Sequence, residues 1–475
     1  MIDKLSLDYK LDYDRLGYKL NDNFSYLFDL ESTINKPYNY IFGYFEDDKL
    51  LGFIHIVLTV DEADLINIVV DDYYRHKKIG TKLIYYVIKR FNLKALTLEV
   101  RESNDAVKFY EHLGFEVKRV IPRYYGNENA YLMKKVIWVK DVYIFAIESS
   151  CDETSAAIIK NGKDVVSLTI NTQIKTHENY GGVVPEIASR MHTEAITYVI
   201  DDCIKKSGMT FEDMDAIAVT YTPGLLGSLL VGIEAAKVLA LSYNKPLIAV
   251  NHIAGHIYAN NLEDNNITFP SLGLVVSGGH TEIIYLEDDY NFKILGSTLD
   301  DAIGEAYDKV ARVLDLKYPG GPNIEKLSKE GKPSYKLPIP MNDDSLNLSF
   351  SGLKSSIINL VHNEKQRGNE INKADLACSF QTIAVDELTR KVELAIKKYN
   401  PKNMIVAGGV SANSYLRDEI IKVCKKYDIN LSIPKMLYCT DNAAMIGAAA
   451  YPLFKKGEFA SFDLNGISTG NIFKF

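Results

Sequence analysis

The chain has 475 residues, of which 47% are apolar and 24% charged, and its formal net charge is −8 at pH 7. This length exceeds what one hydrophobic core supports, so two or more domains are expected, and the composition is that of an ordinary globular protein. The negative charge disfavours nucleic-acid binding over the whole surface, although it permits a local basic groove or a partner that supplies one.

The cysteines and the apolar runs bear on the cellular location. Five cysteines occur without a C-x-x-C pair, which indicates neither a disulfide framework nor a cysteine zinc cluster. The sequence carries no apolar signal segment at its start and no run of about 20 apolar residues that could cross a bilayer. The expected location is therefore the cytoplasm, with no membrane partner.

The N-terminal part alternates between helical and strand patterns. Residues up to about 41 have helical spacing, and strand-like runs follow at 40–46, 49–58 and 64–71. A basic turn from Arg75 to Gly80 (RHKKIG) then leads into an amphipathic helix at 82–90. A strand that feeds such a turn and a helix offers backbone N–H groups and the positive end of a dipole, so the turn is predicted to bind a pyrophosphate.

Two further motifs carry a family resemblance. They are LEVRESN, which ends at Asn104, and FYEHLGF, which contains Tyr110, with Tyr124 and Tyr125 beyond them. With these motifs, residues 40–135 resemble the GNAT acetyltransferases, above all those that acetylate the N-terminal alanine of ribosomal proteins. The resemblance implies acetyl-CoA as cofactor, Glu99 as general base and Tyr110 as the acid that protonates the departing thiolate. It also implies cofactor contacts from Ile68, Val69, Val70, Arg75, Gly80 and Asn104.

The pyrophosphate turn departs from the family pattern at one position. Lys78 occupies the place of the first glycine in Gln/Arg-x-x-Gly-x-Gly. Lysine does not adopt a positive φ cheaply, which predicts a cost in cofactor affinity. Two alternatives therefore stay open, a domain that binds acetyl-CoA and one retained only as a scaffold. Taken alone, Tyr110 would be a core aromatic.

The remaining chain is organised around a pair of histidines. The domains are predicted to span residues 1–138 and 139–475, and in the second an apolar strand leads into HIAGH, with His252 and His256 four residues apart. If this segment is helical, both imidazoles lie on one face about one turn apart, which suits a shared metal ion. An isolated pair of this kind can also merely pack or cap a helix. Asp441, just before an alanine-rich helix, reads on its own as an N-cap.

Two polar hairpins indicate an internal duplication. A buried strand at 142–148 is followed by the turn SSCDETS, and a second strand at 271–276 is followed by a turn with Gly278 and Gly279. Two similar halves, each with a polar hairpin facing one cleft, predict an α/β fold of the duplicated actin-like or sugar-kinase-like ATPase type. A further glycine turn, which begins at Gly408 and leads to Asn413, would let a phosphate or a base approach the backbone.

Six motifs in order give the second domain its resemblance. They are IESSCDET, YGGVVPEIASR, HIAGH, VVSGGHT, YPGGP and TDNAAMI, between Ile147 and Ile446. Through them the region 142–475 resembles the bacterial TsaD proteins, the tRNA threonylcarbamoyladenosine transferases. The resemblance implies one divalent metal, iron or alternatively zinc, held by His252, His256 and Asp441. It implies that the adenylate is held by Val275, Val276, Ser277, Gly278, Gly279, Asp308, Gly321 and Asn413, with Glu325 a weaker candidate.

The implied reaction moves threonylcarbamoyl from threonylcarbamoyl-AMP to N6 of adenine 37 in tRNAs that read codons beginning with A, with TsaB-like and TsaE-like partners. A metal bound by two imidazoles and a carboxylate keeps positions for the substrate carbonyl and can polarise it. Asp152 or Glu153 is the hypothesised acceptor of the amine proton. The N-terminal domain would acetylate an α-amine, for example that of a ribosomal protein.

Other functions fit the sequence less well. A metalloprotease of the H-E-x-x-H type needs a glutamate where Ile253 stands. A sugar kinase has no use for a histidine pair beside its phosphates. The alternative that stays open is a nucleotide-binding scaffold that regulates assembly, with the N-terminal domain the only enzyme or itself inactive.

Overall fold

The computed structural model describes residues 1–75, 77–137, 141–263 and 266–469. It divides into two compact units, Met1–Lys140 and Asp141–Phe475. The predicted boundary between residues 138 and 139 lies outside the described residues. None of the helices within the described ranges is long and apolar enough to cross a bilayer.

The N-terminal unit is one mixed sheet with helices on both faces. The strand order is β1-β2-β3-β4-β5-β7-β6 in the described part of the unit. The strands are β1 (Ile2–Lys4), β2 (Asn39–Glu46), β3 (Lys49–Leu58), β4 (Glu62–Val70), β5 (Ala95–Arg101), β6 (Glu116–Tyr125) and β7 (Glu128–Val136). The helices are α1 (Lys10–Gly17), α2 (Phe24–Leu27), α3 (Leu30–Ile34), α4 (Ile79–Arg90) and α5 (Ala106–His112).

Each face of this sheet has its own apolar layer. Helices α1 to α3 cover one face, where Tyr13, Phe24 and Phe53 pack together. Helix α4 covers the other face with Leu83 and Val87. The predicted strand meander and the amphipathic helix are therefore confirmed, with the helix beginning at Ile79 rather than at residue 82.

The two parallel strands of this sheet separate before they end. Strands β4 and β5 pair from Glu62–Ala95 to Leu65–Leu98 and no further. Strand β4 then bulges against β3, where the pairing shifts between His55 and Ile56. Because a bulge bends its strand, β4 continues to Val70 while β5 runs to Arg101 without pairing to it. The backbone of both strands is thereby open toward the same gap.

The C-terminal unit contains two sheets. The strands are β8 (Tyr143–Glu148), β9 (Glu153–Lys160), β10 (Asp164–Thr172), β11 (Ala216–Thr222), β12 (Leu247–Asn251), β13 (Ser271–Val276), β14 (Thr281–Leu286), β15 (Phe292–Ser297), β16 (Asn403–Ala407) and β17 (Asn430–Ser432). The helices are α6 (Ile174–Glu178), α7 (Pro185–Ser207), α8 (Leu226–Ser242), α9 (His252–Tyr258), α10 (Ile303–Val313), α11 (Gly320–Ser328), α12 (Ser351–Gln366), α13 (Lys373–Tyr399), α14 (Ser414–Tyr427) and α15 (Ala443–Lys456). Short 3₁₀ turns lie in the N-terminal unit at Leu7–Tyr9 and Asp72–Tyr74. In the C-terminal unit they lie at Phe211–Asp213, Ala259–Asn261, Gly409–Ala412 and Met436–Tyr438.

The two sheets repeat one topology, which confirms the predicted duplication. Their strand orders are β10-β9-β8-β11-β12 and β15-β14-β13-β16-β17. In each sheet the first three strands are antiparallel and the last two join in parallel. Each half therefore has a hairpin next to a parallel βα arrangement, as the actin-like fold class requires.

Two helices lie between the sheets. The shared core contains residues of both sheets together with most of α9 and α15. These helices approach closely because α9 has a glycine at the contact: a Cβ on Gly255 would lie 2.8 Å from Ile446 Cδ1 and 3.2 Å from Met445 Cγ. The outer faces are covered by α7 and α8 on the first sheet and by α10 to α14 on the second. The N-termini of α9 and α15, one from each half, consequently meet.

Candidate active site

The meeting helix ends are capped by asparagines. The Asn251 side chain accepts hydrogen bonds from the backbone of Ile253 and Ala254, and Asn442 accepts one from Met445. Asp441 is thus not the N-cap of α15, because Asn442 takes that role. The capping alternative for Asp441 is wrong, and its carboxylate is left to face α9.

His252, His256 and Asp441 come together at this point. Each offers a ligand atom within 4.8 Å of the other two. Asp441 Oδ1 lies 3.4 Å from His252 Nε2 and 3.2 Å from His256 Nε2, and the imidazole rings are 4.6 Å apart at an interplanar angle of 80°. The helical spacing predicted from HIAGH is confirmed, and both rings lie on the face toward Asp441.

The donor set fits a metal ion. His256 is 1% exposed, and among the described residues neither of its ring nitrogens makes a hydrogen bond of good geometry, although Nε2 lies 3.2 Å from Asp441 Oδ1. A buried polar atom without a partner is costly, so such an imidazole is suited to ligate an ion that the chain itself does not supply. Two imidazole nitrogens and one carboxylate oxygen are suitable ligands for Fe²⁺ or Zn²⁺ and would leave coordination positions for a substrate.

A buried glutamate orients His252. Glu148 is fully buried at the end of β8, and its Oε2 lies 3.1 Å from His252 Nδ1. Its two oxygens also accept hydrogen bonds from the Ser150 backbone at 2.6 Å and the Thr220 hydroxyl at 2.6 Å. A carboxylate that is hydrogen-bonded to Nδ1 places the ring hydrogen on Nδ1. The Nε2 lone pair of the neutral ring is then directed toward Asp441. Glu148 was not among the predicted site residues, because its role depends on a contact between residues 104 positions apart.

The charges of this centre depend on one another. Burial opposes the charged form of His252, but the Asp441 and Glu148 carboxylates outweigh it and raise the pKa of His252 well above its usual value. Burial also opposes ionisation of Glu148, whereas the adjacent His252 holds its pKa below the usual range. For His256, burial dominates and lowers the pKa. Because a metal ion competes with the proton on His252, metal uptake must release it.

A cleft of about 1390 Å³ opens from the trio and holds most of the predicted substrate residues. Asp152, in the turn after β8, and Glu153, the first residue of β9, line it. Burial, followed by the charge of Asp152, raises the pKa of Glu153 well above its usual value. His280 also lines the cleft, and burial together with His252 and His256 lowers its pKa to about 4. These side chains bring acid–base groups next to the trio.

The glycine turns form the cleft wall, but their flanking valines do not. Ser277, Gly278, Gly279 and Gly321 line the cleft, and a Cβ on any of the three glycines would meet nothing within 4 Å. Val275 and Val276 are fully buried, in the cores on either face of β13. Their side chains therefore support the turn rather than face the cleft.

The polar residues farther along the cleft differ in how far their side chains are already engaged in hydrogen bonds within the protein. Asp308 lines it and accepts a hydrogen bond from the Gly320 backbone at 2.6 Å, and burial raises its pKa to about 6. Asn413 caps α14 and donates to Gln381 at 2.9 Å, so its side chain is already engaged. Glu325 accepts from Ser414 and Lys329. Asp308 is thus the freest acceptor of the three.

The N-terminal unit presents its predicted residues at the gap between β4 and β5. Glu99 is exposed on β5, and interaction with its carboxylate raises the pKa of Tyr124 to about 12. Tyr110 is 8% exposed, and burial raises its pKa, so it keeps its proton at neutral pH. Ile68, Val69 and Val70 lie on the stretch of β4 that no longer pairs with β5. Tyr124 was not among the predicted site residues.

The turn before α4 has a left-handed backbone at Lys78, the conformation that the family's glycine would adopt most easily at this position. Lys78 has φ 60° and ψ 17° and caps the helix. The departure at this position therefore does not prevent the left-handed backbone. Arg75 pairs with Asp72 at 2.8 Å, and Gly80 packs against Phe109. Asn104 is exposed and accepts from the Ala106 backbone at 2.9 Å, before α5. His76, within the same turn, lies outside the described residues.

The two units define two classes of protein, a GNAT acetyltransferase fold and a duplicated actin-like ATPase fold. The family described as tRNA N6-adenosine threonylcarbamoyltransferase, TsaD, matches residues 164–448, and the GNAT acetyltransferase domain family matches residues 13–128. Enzymes named tRNA N6-adenosine threonylcarbamoyltransferase in Staphylococcus aureus strains N315 and Newman are 52% identical over 330 residues, covering 69% of this chain and 96% of theirs. The chain belongs to the TsaD family, with a GNAT domain in front.

Solved structures match each unit separately. The ribosomal-protein-S18-alanine N-acetyltransferase of Escherichia coli is 26% identical and matches over 29% of this chain and 93% of its own, with a TM-score of 0.27. Component A of (R)-2-hydroxyglutaryl-CoA dehydratase from Acidaminococcus fermentans is 15% identical and matches over 66% of this chain and 98% of its own, with a TM-score of 0.40.

Proposed function

We propose that the C-terminal unit transfers threonylcarbamoyl from threonylcarbamoyl-AMP to N6 of adenine 37 in tRNAs that read codons beginning with A. The observation that carries the proposal is the metal-ligating trio at one end of a glycine-walled cleft, in a chain that is 52% identical to enzymes named for this reaction. Fe²⁺ is the proposed ion, with Zn²⁺ the alternative, and TsaB-like and TsaE-like proteins are the proposed partners.

The chain's own residues would act on the two ends of the substrate. The bound metal would supply Lewis acidity toward the threonylcarbamoyl carbonyl. Ser277, Gly278, Gly279 and Gly321 leave space for the adenylate against bare backbone, and Asp308 offers an acceptor for ribose hydroxyls. Asp152 or Glu153 would take the proton that N6 loses; burial, followed by the charge of Asp152, raises the pKa of Glu153 and with it the affinity of that carboxylate for a proton. AMP departs with the bonding electrons of the anhydride.

The direct test is reconstitution with purified full-length protein, TsaB-like and TsaE-like proteins, threonylcarbamoyl-AMP and tRNA. Formation of threonylcarbamoyladenosine is followed by mass spectrometry of the digested tRNA. We expect product that depends on the bound metal. Metal-loaded protein that binds adenosine but makes no product under these conditions would favour the scaffold alternative.

We expect Glu148→Gln to weaken binding of Zn²⁺ by roughly 10- to 100-fold, because residues that orient a metal-bound histidine have effects of that size. The glutamine removes the charge that fixes the Nδ1–H tautomer of His252 while it keeps the shape of the side chain. Competition with a chelator of known affinity measures the change. Thr220→Val is the matched control, since it removes one hydrogen bond to Glu148 but leaves the carboxylate, and equal losses in both variants would contradict the role given to the charge.

We expect adenosine affinity to fall as the pH drops through about 6, the pKa of Asp308. Above this pH the carboxylate is ionised and accepts hydrogen bonds from ribose, and below it the neutral acid accepts them poorly. The loss should approach roughly 10- to 150-fold once the group is protonated, as hydrogen bonds to charged groups contribute about 1.5–3 kcal/mol and each 1.4 kcal/mol is a factor of ten in affinity. Adenosine is the probe because it lacks the phosphate, which titrates in the same range. Calorimetry on Asp308→Asn should give a flat profile; a profile that persists would assign the titration elsewhere.

For the N-terminal unit we propose transfer of acetyl from acetyl-CoA to a protein α-amine, such as the N-terminal alanine of a ribosomal protein. The gap between β4 and β5 and the exposed Glu99 beside Tyr124 support this, as does the match to the GNAT domain family. Glu99 would accept a proton from the amine before it attacks the thioester, and Tyr110 would protonate the thiolate.

A further inference from the structure

A histidine that does not touch the cleft holds the turn that does. His192 lies on α7, is fully buried, and uses both ring nitrogens. Its Nε2 is 2.9 Å from the Cys151 carbonyl oxygen, and its Nδ1 is 2.7 Å from the Thr154 hydroxyl. The two contacts bracket Asp152, in the turn between β8 and β9, and Glu153, the first residue of β9.

The protonation state of His192 follows from its partners. A carbonyl oxygen only accepts, so Nε2 must carry the hydrogen. In the neutral ring Nδ1 is then an acceptor, which the Thr154 hydroxyl satisfies by donating to it. Burial lowers the pKa of His192 and favours this neutral form. The pair therefore has one favourable arrangement, and it fixes the position of the Cys151 carbonyl group.

The Cys151 carbonyl is one of three in a row that are held in this way. The carbonyl of Ser150 accepts from the Leu225 backbone at 2.8 Å and that of Asp152 from the Gln173 backbone at 3.0 Å. Between them, the Cys151 carbonyl accepts from His192. Two of the three donors are backbone groups that no substitution short of proline removes, whereas the middle one is a side chain.

We propose that His192 is a positioning residue for the threonylcarbamoyl transfer, because it holds the Cys151 carbonyl so that Asp152 and Glu153 face the cleft. This rests on the proposed function of the C-terminal unit. It assigns to His192 no contact with substrate or metal, only the placement of the two carboxyl groups. A displacement of about 1 Å in such groups can lower a rate by roughly 100-fold.

The first test is kinetic, with the full-length protein and its partners. We expect His192→Leu to lower the single-turnover rate by roughly 10- to 100-fold, while the metal content and the adenosine affinity stay within about twofold. His192→Gln should recover part of the rate, since its amide can still donate to the Cys151 carbonyl. Ser167→Ala is the control, because it removes a buried hydrogen bond between β10 and Cys203 of α7 without touching the turn.

A combined variant separates positioning from general destabilisation. In an Asp152→Asn/Glu153→Gln background the His192→Leu substitution should cost nothing further, since there is no longer a carboxylate pair to place. Full additivity, or an unchanged rate in His192→Leu alone, would overturn the proposal.

A second measurement does not need activity. Backbone amides of residues 151–153 should exchange hydrogen faster in His192→Leu than in the wild type and in Ser167→Ala. Unchanged exchange would overturn the proposal even if the wild type proved inactive in tRNA modification, an outcome that would count against the proposed function alone.

Discussion

Replacing His256 by alanine should remove the bound metal and lower the rate of threonylcarbamoyl transfer by roughly a thousandfold. A Lewis acid stabilises the transition state of such a reaction by several kcal/mol. Each 1.4 kcal/mol changes the rate by a factor of ten. Adenosine binding should persist, because His256 does not line the glycine-walled part of the cleft. Elemental analysis of the purified protein and single-turnover kinetics measure the two effects.

Thermal unfolding gives a second readout of the same substitution. A chelator should lower the melting temperature of the wild type, since an ion that binds only the folded state stabilises that state. The melting temperature of His256→Ala should not change when the chelator is added. Tyr258→Phe is the matched control on the same helix, as it removes a hydrogen bond to Asp289 and one from the Tyr290 backbone but leaves the three metal-site side chains in place. One equivalent of metal and a rate within tenfold of wild type in His256→Ala would contradict the assignment of His256 as a ligand.

In the N-terminal unit, Glu99→Gln should lower the rate of acetyl transfer by roughly 100- to 10,000-fold, the range for loss of a general acid or base. The KM for acetyl-CoA should stay the same, because Glu99 lies on β5 whereas the cofactor is expected along Ile68 to Val70 on β4. A peptide with an N-terminal alanine serves as acceptor, and mass spectrometry measures the acetylated product.

The control for Glu99 is another carboxylate close by. Glu102 accepts hydrogen bonds from Asn129 at 3.0 Å and from Tyr131 at 2.8 Å, so Glu102→Gln should change the rate by no more than about threefold if these bonds are only structural. Equal effects of the two substitutions, or an unchanged rate in Glu99→Gln, would remove Glu99 from the mechanism.

The common face of His252 and His256 could be predicted because its information is local, whereas Asp441 joined them only through the family resemblance. The spacing of His252 and His256 sets their common face once Asn251 caps the helix, and the capping preference of asparagine is itself readable from sequence. The third ligand was harder to place. Asp441 and Asn442 are both good caps, and only the structure shows that the asparagine takes the backbone and leaves the aspartate free.

Features that depend on distant contacts could not be predicted. Glu148 ends an apolar strand, and nothing near it in sequence shows that it meets His252 across the sheet. Val275 and Val276 belong to a cleft motif, but strand alternation directs both side chains into cores on opposite faces. The gap between β4 and β5 depends on a bulge, which the spacing of apolar residues does not reveal.

Lys78 shows that a local backbone preference has limited power to predict the conformation of a residue. The steric rule that disfavours positive φ in lysine amounts to about 1–2 kcal/mol, a cost that the rest of a folded domain can offset. The structure places Lys78 at φ 60°. A local preference of this size predicts a cost for the conformation and does not exclude it.

The origin of the three proposed metal ligands has a mechanical consequence. His252 and His256 follow the last strand of the first half, and Asp441 follows the last strand of the second. Any rotation of one half against the other changes the separation between Asp441 and the imidazoles, and with it the quality of the coordination. The affinity of the ion would therefore depend on the relative orientation of the two halves. Substrate release, separation of the halves and retention of the metal would then be thermodynamically linked.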